Sequence, residues 1–139
     1  MKNKRKILIA VLVSTQLVLL IFVGCHKQGM HFDEYYSYFT TNNSDGRIVN
    51  DRQWLSGEDM KKDFFVQEGE QFHYGKVIEL QSYDVHPPVF YLLLHTVCSL
   101  TPGIYSIWQG LALNILYALI TTVFLYLILE KLIRNQRAA

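Results

Sequence analysis

The chain has 139 residues, a net charge of +1 and an apolar fraction of 50%. The apolar residues are gathered into two long uncharged blocks, which excludes a soluble domain built around a single core. The stretch between the blocks is acidic. This excludes a nucleic-acid-binding surface, because such a surface needs a basic footprint.

The first predicted element is a membrane-spanning helix over residues 7–23, behind a basic N-terminal stub. A helix needs about 20 residues to cross a bilayer, with a usable range of about 17–25, and this block qualifies. Its middle is polar, with the sequence STQ at residues 14–16. Polar side chains at that depth usually face other helices, so we expect the span to belong to a helical assembly.

Residues 22–25 (FVGC) allow a second interpretation of the same segment. A basic start, an apolar run and then Cys25 resemble a bacterial lipoprotein signal, in which the cysteine is lipidated and the leader is removed. Cys25 and Cys98 are too few for a disulfide framework, and Cys98 is predicted to be a small buried hydrophobe.

Residues 25–103 are predicted to form a large extracytoplasmic loop. Between residues 27 and 84 there are eleven acidic and six basic residues, whereas both ends of the chain are basic. The positive-inside bias of membrane proteins therefore predicts that both termini are cytoplasmic and that the loop lies outside.

The loop is predicted to begin with a helix near residues 33–42 that lies in the membrane interface, where its tyrosines are favoured. Asp33 is expected to cap this helix or to complement its dipole. The turn-forming residues 42–46 (NNSDG) are expected to end it, and residues 42–44 also match a glycosylation sequon. Residues 47–82 predict no regular element, although their aromatic residues are compatible with a small lid.

A second interfacial helix is predicted near residues 88–100. Proline is favoured in a first helical turn, so Pro87-Pro88 begins a helix. About 13 residues reach only about 20 Å, which is too short to span a bilayer. Tyr91, His95 and Ser99 recur every four residues and form a modest polar stripe, which favours the interface.

The last element is a second span over residues 104–129 followed by a basic tail. The predicted fold is therefore an all-α membrane protein with two transmembrane helices joined by an extracytoplasmic loop that holds two interfacial helices. Its parts are residues 1–24 (stub and first span), 25–103 (loop) and 104–139 (second span and tail). We expect a multi-pass protein of the plasma membrane.

Asp33 and Glu34 are candidate catalytic residues. Adjacent side chains on a helix diverge by about 100°, so the two carboxylates cannot flank one bond as in a glycosidase. One aspartate near a desolvating surface is typical of a general base that acts on a hydroxyl. Alternatively, both acids are topological markers and helix caps.

Asp84 and His86 stand just before the second interfacial helix and are candidate ligands for a phosphate or a sugar at its N-terminus. Alternatively, Asp84 caps that helix and His86 bonds locally. His31 is a further candidate because it lies two residues before Asp33. The histidine spacing does not predict a zinc site; the cofactor is unknown, and a divalent metal is compatible but not indicated.

Two motifs at this spacing behind one span, residues 30–38 (MHFDEYYSY) and 84–91 (DVHPPVFY), look like the start of a bacterial GT-C glycosyltransferase. The chain resembles most the branch that includes protein mannosyltransferases and the lipid A aminoarabinose transferase. The resemblance implies a polyprenyl-phosphate sugar donor and an envelope glycan, lipid or protein as acceptor. It also implies that Asp33 is the base and that Glu34 supports it or binds the acceptor.

By the same resemblance, Asp84, His86 and Tyr91 are substrate-binding residues that line the donor pocket. Such enzymes have many more spans, so the resemblance implies an incomplete GT-C membrane domain, a fragment that is inactive by itself. Two alternatives remain: a non-catalytic two-span protein with an outer binding loop, and a lipoprotein anchored through Cys25.

Overall fold

The computed structural model describes residues 2–43, 54 and 56–136, and all regular secondary structure in these residues is helical. This confirms the all-α prediction. The described helices are α1 (Lys2–Cys25), α2 (Phe32–Asn42), α3 (Gly57–Lys62), α4 (Tyr74–Gln81), α5 (Pro88–Ser99) and α6 (Ile107–Gln136). The chain divides into two compact units, one of residues Met1–Gln28 with Leu111–Ala139 and one of residues Gly29–Gly110.

The first unit pairs α1 with α6 as an antiparallel hairpin. At its middle, the Thr122 hydroxyl donates to Gln16 Oε1 at 2.7 Å, and the Gln16 amide donates to the Ala118 carbonyl at 3.4 Å. Nearer the chain termini, the Tyr126 hydroxyl donates to the Arg5 carbonyl at 3.4 Å. The polar middle of α1 therefore faces a helix, as expected for a polar side chain that would otherwise meet hydrocarbon.

Both helices of the hairpin are long and apolar enough to cross a membrane, over Asn3–Cys25 and Ile107–Arg134. Only 6% of the apolar window of each is buried within the protein, which differs from the core helix of a soluble domain. Two candidate membrane spans were predicted, and the described residues contain two.

The start of α6 differs from the predicted residue 104. Ser106 caps the helix, because its hydroxyl accepts from the Trp108 N–H at 3.3 Å while the Gln109 side chain accepts from the Ser106 N–H at 3.1 Å. This reciprocal capping box satisfies two backbone donors and begins the helix at Ile107.

The second unit is built from α2, α4 and α5, which pack against one another. Leu94 of α5 is 1% exposed and lies at its centre. The remaining buried apolar side chains are Tyr38, Phe39, Val66, Val77, Tyr91 and Cys98. Burial raises the pKa of the Cys98 thiol to about 11, so this cysteine behaves as a hydrophobe.

The prediction of two helices in the loop was incomplete, because α3 and α4 also form there. They have 6 and 8 residues, too short for a helical period to be read from the sequence. Part of the unpredicted stretch, residues 47–53 and 55, lies outside the described residues, as do residues 44–46 of the turn cluster. Asn42 of the sequon is only 4% exposed, and its amide donates to the Phe64 carbonyl at 3.0 Å.

Helix α5 begins as its prolines predict, with Pro87 as the extended N-cap and Pro88 as the first helical residue. No side chain caps it, so the alternative in which Asp84 caps this helix is wrong. Proline has no N–H to offer in the first turn, which removes one of the donors that a cap would satisfy.

The polar stripe of α5 is buried and does not face a surface. Tyr91, His95 and Ser99 are 5%, 4% and 3% exposed, whereas Val89 and Leu100 are 61% and 69% exposed. The exposed face of this helix is therefore apolar and its polar face points into the protein. Its position relative to the bilayer stays a prediction.

Candidate functional site

The first predicted motif lies at the N-terminus of α2, where His31 is the N-cap. Its Nδ1 accepts from the Asp33 N–H at 3.3 Å, and the Glu34 carboxylate accepts from the His31 N–H at 2.9 Å. His31 and Glu34 form the capping box, so Asp33 does not cap this helix. Asp33 lies in the first helical turn, which agrees with the other predicted role, that its charge complements the helix dipole. The Asp33 side chain is 87% exposed and lies 3.4 Å from the His31 ring.

The two adjacent acids point in different directions. Glu34 is turned toward the protein, because its charge acts on Tyr105. The pKa of Tyr105 is raised mainly by burial and then by the negative charge of Glu34. Asp33 instead faces solvent beside His31. One carboxylate closes the cap and the other stays accessible, which follows from the angle of about 100° between neighbouring side chains on a helix.

The second predicted motif forms an acid–imidazole pair. Both carboxylate oxygens of Asp84 lie 3.1 Å from His86 Nδ1, and Asp84 also accepts from the Val85 N–H at 2.7 Å. The Asp84 side chain is 9% exposed and that of His86 60%. Asp84 therefore orients the ring through Nδ1, while the rest of the His86 side chain remains largely exposed.

Tyr91 connects the two motifs. Its ring centroid lies 6.4 Å from that of His86, and its phenol lies close to the Ser37 side chain of α2. Ser37 lies one turn after Asp33, and its hydroxyl donates to the Asp33 carbonyl at 2.9 Å. Burial, and then the charge of Asp84, raise the pKa of the Tyr91 phenol above its ordinary value.

Through Tyr91, the Asp84–His86 pair comes close to Ser37 of α2. Ser37 lies one helical turn after Asp33, and residues four apart on a helix are neighbours, with about 5–6 Å between their Cβ atoms. Ser37 was not among the predicted site residues. The sequence signal that could have found it is its position four residues after Asp33, which places both residues on one face of the helix.

His95 lies at the junction of the three packed helices. Its Nε2 accepts from the His73 N–H at 3.1 Å, so the ring proton sits on Nδ1, which donates to the Thr41 carbonyl at 3.1 Å. One neutral tautomer thus joins α5 to the C-terminus of α2 and the start of α4. Burial lowers the pKa of His95.

The backbone just before α4 docks on the same stripe. Phe72 has a φ of 60°, unusual for a residue with a side chain, and its N–H donates to Ser99 Oγ at 3.0 Å. The next N–H, of His73, goes to His95. The left-handed backbone at Phe72 directs two successive N–H groups toward α5. The two hydrogen bonds stabilise a backbone conformation that is otherwise strained.

A cavity of about 10 Å³ adjoins this junction. None of the five predicted site residues lines it; its walls are Thr41, Asn42, Asn43, Glu70, His73, Lys76, Val77 and His95. The Thr41 hydroxyl is buried with no hydrogen-bond partner. A cavity of this size holds about one water molecule, which can satisfy such a group. In the described residues, no cluster of three or more histidine, cysteine or acidic side chains could hold a metal ion.

The stability of the three-helix unit should decrease in mild acid because of His95. Its pKa is lower in the folded protein than the ordinary 6.5, so the unfolded chain binds the proton first as the pH falls. The stabilisation is complete above 6.5 and is lost as the pH drops toward the folded value. Thermal unfolding between pH 8 and 5, followed by the near-UV circular dichroism of the tyrosines, measures this loss.

His95→Gln should unfold at a lower temperature and with a shallower pH dependence than the wild type. His26→Gln, at an exposed histidine in the other unit, is the matched control and should keep the wild-type dependence. An unchanged pH dependence in His95→Gln would show that another group causes the acid sensitivity.

Comparison of the chain with family models, with curated proteins and with solved structures gives no match. As far as the structure describes the chain, its fold and site define a class: an all-helical protein with two candidate membrane spans and a three-helix unit that carries an exposed aspartate and an acid–imidazole pair. The particular function has to be inferred from the chemistry of those side chains.

Proposed function

We propose that this chain forms part of a membrane glycosyltransferase of the GT-C type, which moves a sugar from a polyprenyl-phosphate carrier to an acceptor in the cell envelope. The two motifs that resemble this family approach each other at Ser37 and Tyr91, although they lie about fifty residues apart in the chain. This juxtaposition is the observation that supports the proposal most. A base and a donor-binding group must lie near each other to act on one pair of substrates.

In the proposed reaction, the Asp33 carboxylate accepts the proton of the acceptor hydroxyl. The acceptor oxygen then forms a bond to the anomeric carbon, the bond from that carbon to the phosphate oxygen breaks, and the electron pair leaves with the polyprenyl phosphate. The exposure of Asp33 supports this role, because an acceptor can approach it directly.

His86 and Tyr91 bind the donor in this proposal. Asp84 fixes the imidazole through Nδ1, so Nε2 points outward, where it can donate to a phosphate or sugar oxygen when the ring is protonated. The first turn of α5 adds backbone donors, and the N-terminus of a helix attracts anions. Tyr91 is 5% exposed and forms the inner wall beside His86, with 6.4 Å between the two ring centroids.

The proposed location is the plasma membrane, with the second unit outside the cell and both chain ends in the cytoplasm. The basic ends of the chain and the acidic stretch between them support this orientation. The donor phosphate and its acceptor would then meet on the outer face.

Asp84→Asn and His86→Ala should each weaken binding of a polyprenyl phosphate about tenfold or more, since a charge-assisted hydrogen bond contributes about 1.5–3 kcal/mol. The full chain in lipid nanodiscs would be titrated with undecaprenyl phosphate and with undecaprenol, and the bound lipid quantified by native mass spectrometry. The wild type should prefer the phosphate.

Asp59→Asn is the matched control. Asp59 is also an acid paired with an exposed base, since its Oδ1 lies 3.1 Å from Lys62 Nζ, but this pair belongs to α3. It should leave both affinities unchanged. Equal affinity for phosphate and alcohol, or variants that bind like the wild type, would contradict a donor site at Asp84–His86.

The alternative is a non-catalytic two-span protein with an outer binding loop. In that case alanine at Asp33, Asp84 and His86 would leave partner binding intact. A lipoprotein is tested separately, by metabolic lipid labelling that disappears in Cys25→Ser.

A further inference from the structure

A groove of about 440 Å³ lies between α1 and α6, where the first turns of α1 meet the last turns of α6. This volume is typical of a ligand pocket, for which about 300–1,000 Å³ is usual. One side of the groove is apolar: Leu8, Leu129 and Ile133 line it and are about half exposed. The proposed transferase chemistry does not use this region.

The other side of the groove is charged. Arg5 of α1 forms an ion pair with Glu130 of α6, and the two side chains are 43% and 32% exposed. Tyr126, one turn before Glu130, donates its hydroxyl to the Arg5 carbonyl at 3.4 Å and so holds the two helices together at this point. The ion pair neutralises one arginine.

Arg134 supplies the remaining charge. It lies four residues after Glu130, so both side chains share one face of α6 and line the same groove. Within the described residues, Arg134 has no ion pair or hydrogen bond. Two arginines against one glutamate leave the groove with a charge of +1, beside an apolar wall.

We propose that this groove binds one anionic phospholipid from the bilayer leaflet at that end of the hairpin. The lipid phosphate lies on Arg134 and the outer edge of Arg5, and the first segment of an acyl chain lies on Leu8, Leu129 and Ile133. Charge complementarity selects this occupant: a guanidinium binds phosphate oxygens in a bidentate manner, and basic pockets between spans bind anionic head groups.

Other occupants fit the same surface less well. A further apolar helix, or a second copy of this hairpin, would bury Arg134 without an acid to pair with it, and a buried unpaired charge is costly. A zwitterionic lipid carries its own cation, which Arg134 repels. An anionic lipid satisfies both the charge and the apolar wall.

The test is a lipid titration of the full chain purified in a zwitterionic detergent. Phosphatidylglycerol should bind more tightly than phosphatidylcholine, as measured by native mass spectrometry. Arg134→Gln should weaken phosphatidylglycerol binding about fivefold, which corresponds to the roughly 1 kcal/mol expected for one basic residue at an anionic lipid surface. Arg134→Lys should retain most of the affinity because it keeps the charge.

Two variants complete the design. Lys62→Gln removes a cation that is 58% exposed in the other unit and should leave phosphatidylglycerol binding unchanged. Glu130→Gln releases Arg5 from its ion pair and should tighten binding, the opposite sign from Arg134→Gln. A general loss of the hairpin structure would weaken phosphatidylglycerol binding in both variants. Opposite changes in affinity therefore distinguish a binding site from damage to the fold.

Three results would overturn the proposal. The first is equal affinity for phosphatidylglycerol and phosphatidylcholine. The second is competition by glycerol phosphate as strong as that by the whole lipid, which would indicate a site for a soluble phosphate. The third is concentration-dependent dimerisation that Arg134→Gln abolishes, which would mean that a second copy covers the groove. None of these readouts depends on sugar transfer.

Discussion

Replacing Asp33 with asparagine should lower sugar transfer about 10²–10⁴-fold, the usual contribution of a general base, while the protein still reaches the membrane. Asparagine has nearly the shape of aspartate but cannot accept the proton of the acceptor hydroxyl. The capping bonds of α2 are made by His31 and Glu34, so the helix should remain intact.

The substitution should be made in the chromosomal gene, so that any further spans or partners are present. Transfer from a radiolabelled polyprenyl-phosphate sugar to the envelope fraction is then measured in isolated membranes. Glu58→Gln is the matched control, because Glu58 is an exposed acid in the first turn of α3, as Asp33 is in α2. Transfer in Asp33→Asn equal to that in this control would remove Asp33 from the mechanism.

Leu94→Ala should destabilise the three-helix unit by about 2–5 kcal/mol, the range for a leucine truncated within a packed core. Leu94 is 1% exposed on α5, the helix that packs against both α2 and α4. The deleted methyl groups leave a cavity that the surrounding helices can close only in part.

Amide hydrogen exchange is the measurement suited to this variant, because it reports local opening in each helix. Exchange should accelerate in α2, α4 and α5 together and stay unchanged in the α1–α6 hairpin. Leu100→Ala removes the same atoms from a residue that is 69% exposed at the end of α5 and should behave like the wild type. Similar exchange in both variants would mean that Leu94 does not hold the three helices together.

The helices that are long, apolar or marked by proline could be predicted from local sequence. An uncharged run long enough to cross a bilayer predicted α1 and α6, and Pro87-Pro88 predicted the start of α5. Helices α3 and α4 could not be predicted in this way. They are short, and the backbone before α4 is held by bonds from Phe72 and His73 to α5, more than twenty residues later in the chain.

In the candidate site, too, only contacts between residues close in the chain could be predicted. Asp84 and His86 pair over two residues, so their contact is local and could be read as one motif. The link from Tyr91 to Ser37 joins two helices and could not be read in this way. The polar stripe of α5 showed that one face of this helix differs from the rest, but not that His95 would be buried against Thr41.

Hydrophobic length and proline positions act within one segment, and they were sufficient to predict the helical class, the start of α5 and the two candidate spans found in the described residues. Which side chains meet depends on packing between segments far apart in the chain. Packing turned the polar face of α5 inward and brought Ser37 close to Tyr91. The cap made by His31 and Glu34 is a local contact, although the cap was predicted at Asp33. Buried polar groups need partners, and only the folded arrangement of α2, α4 and α5 supplies them.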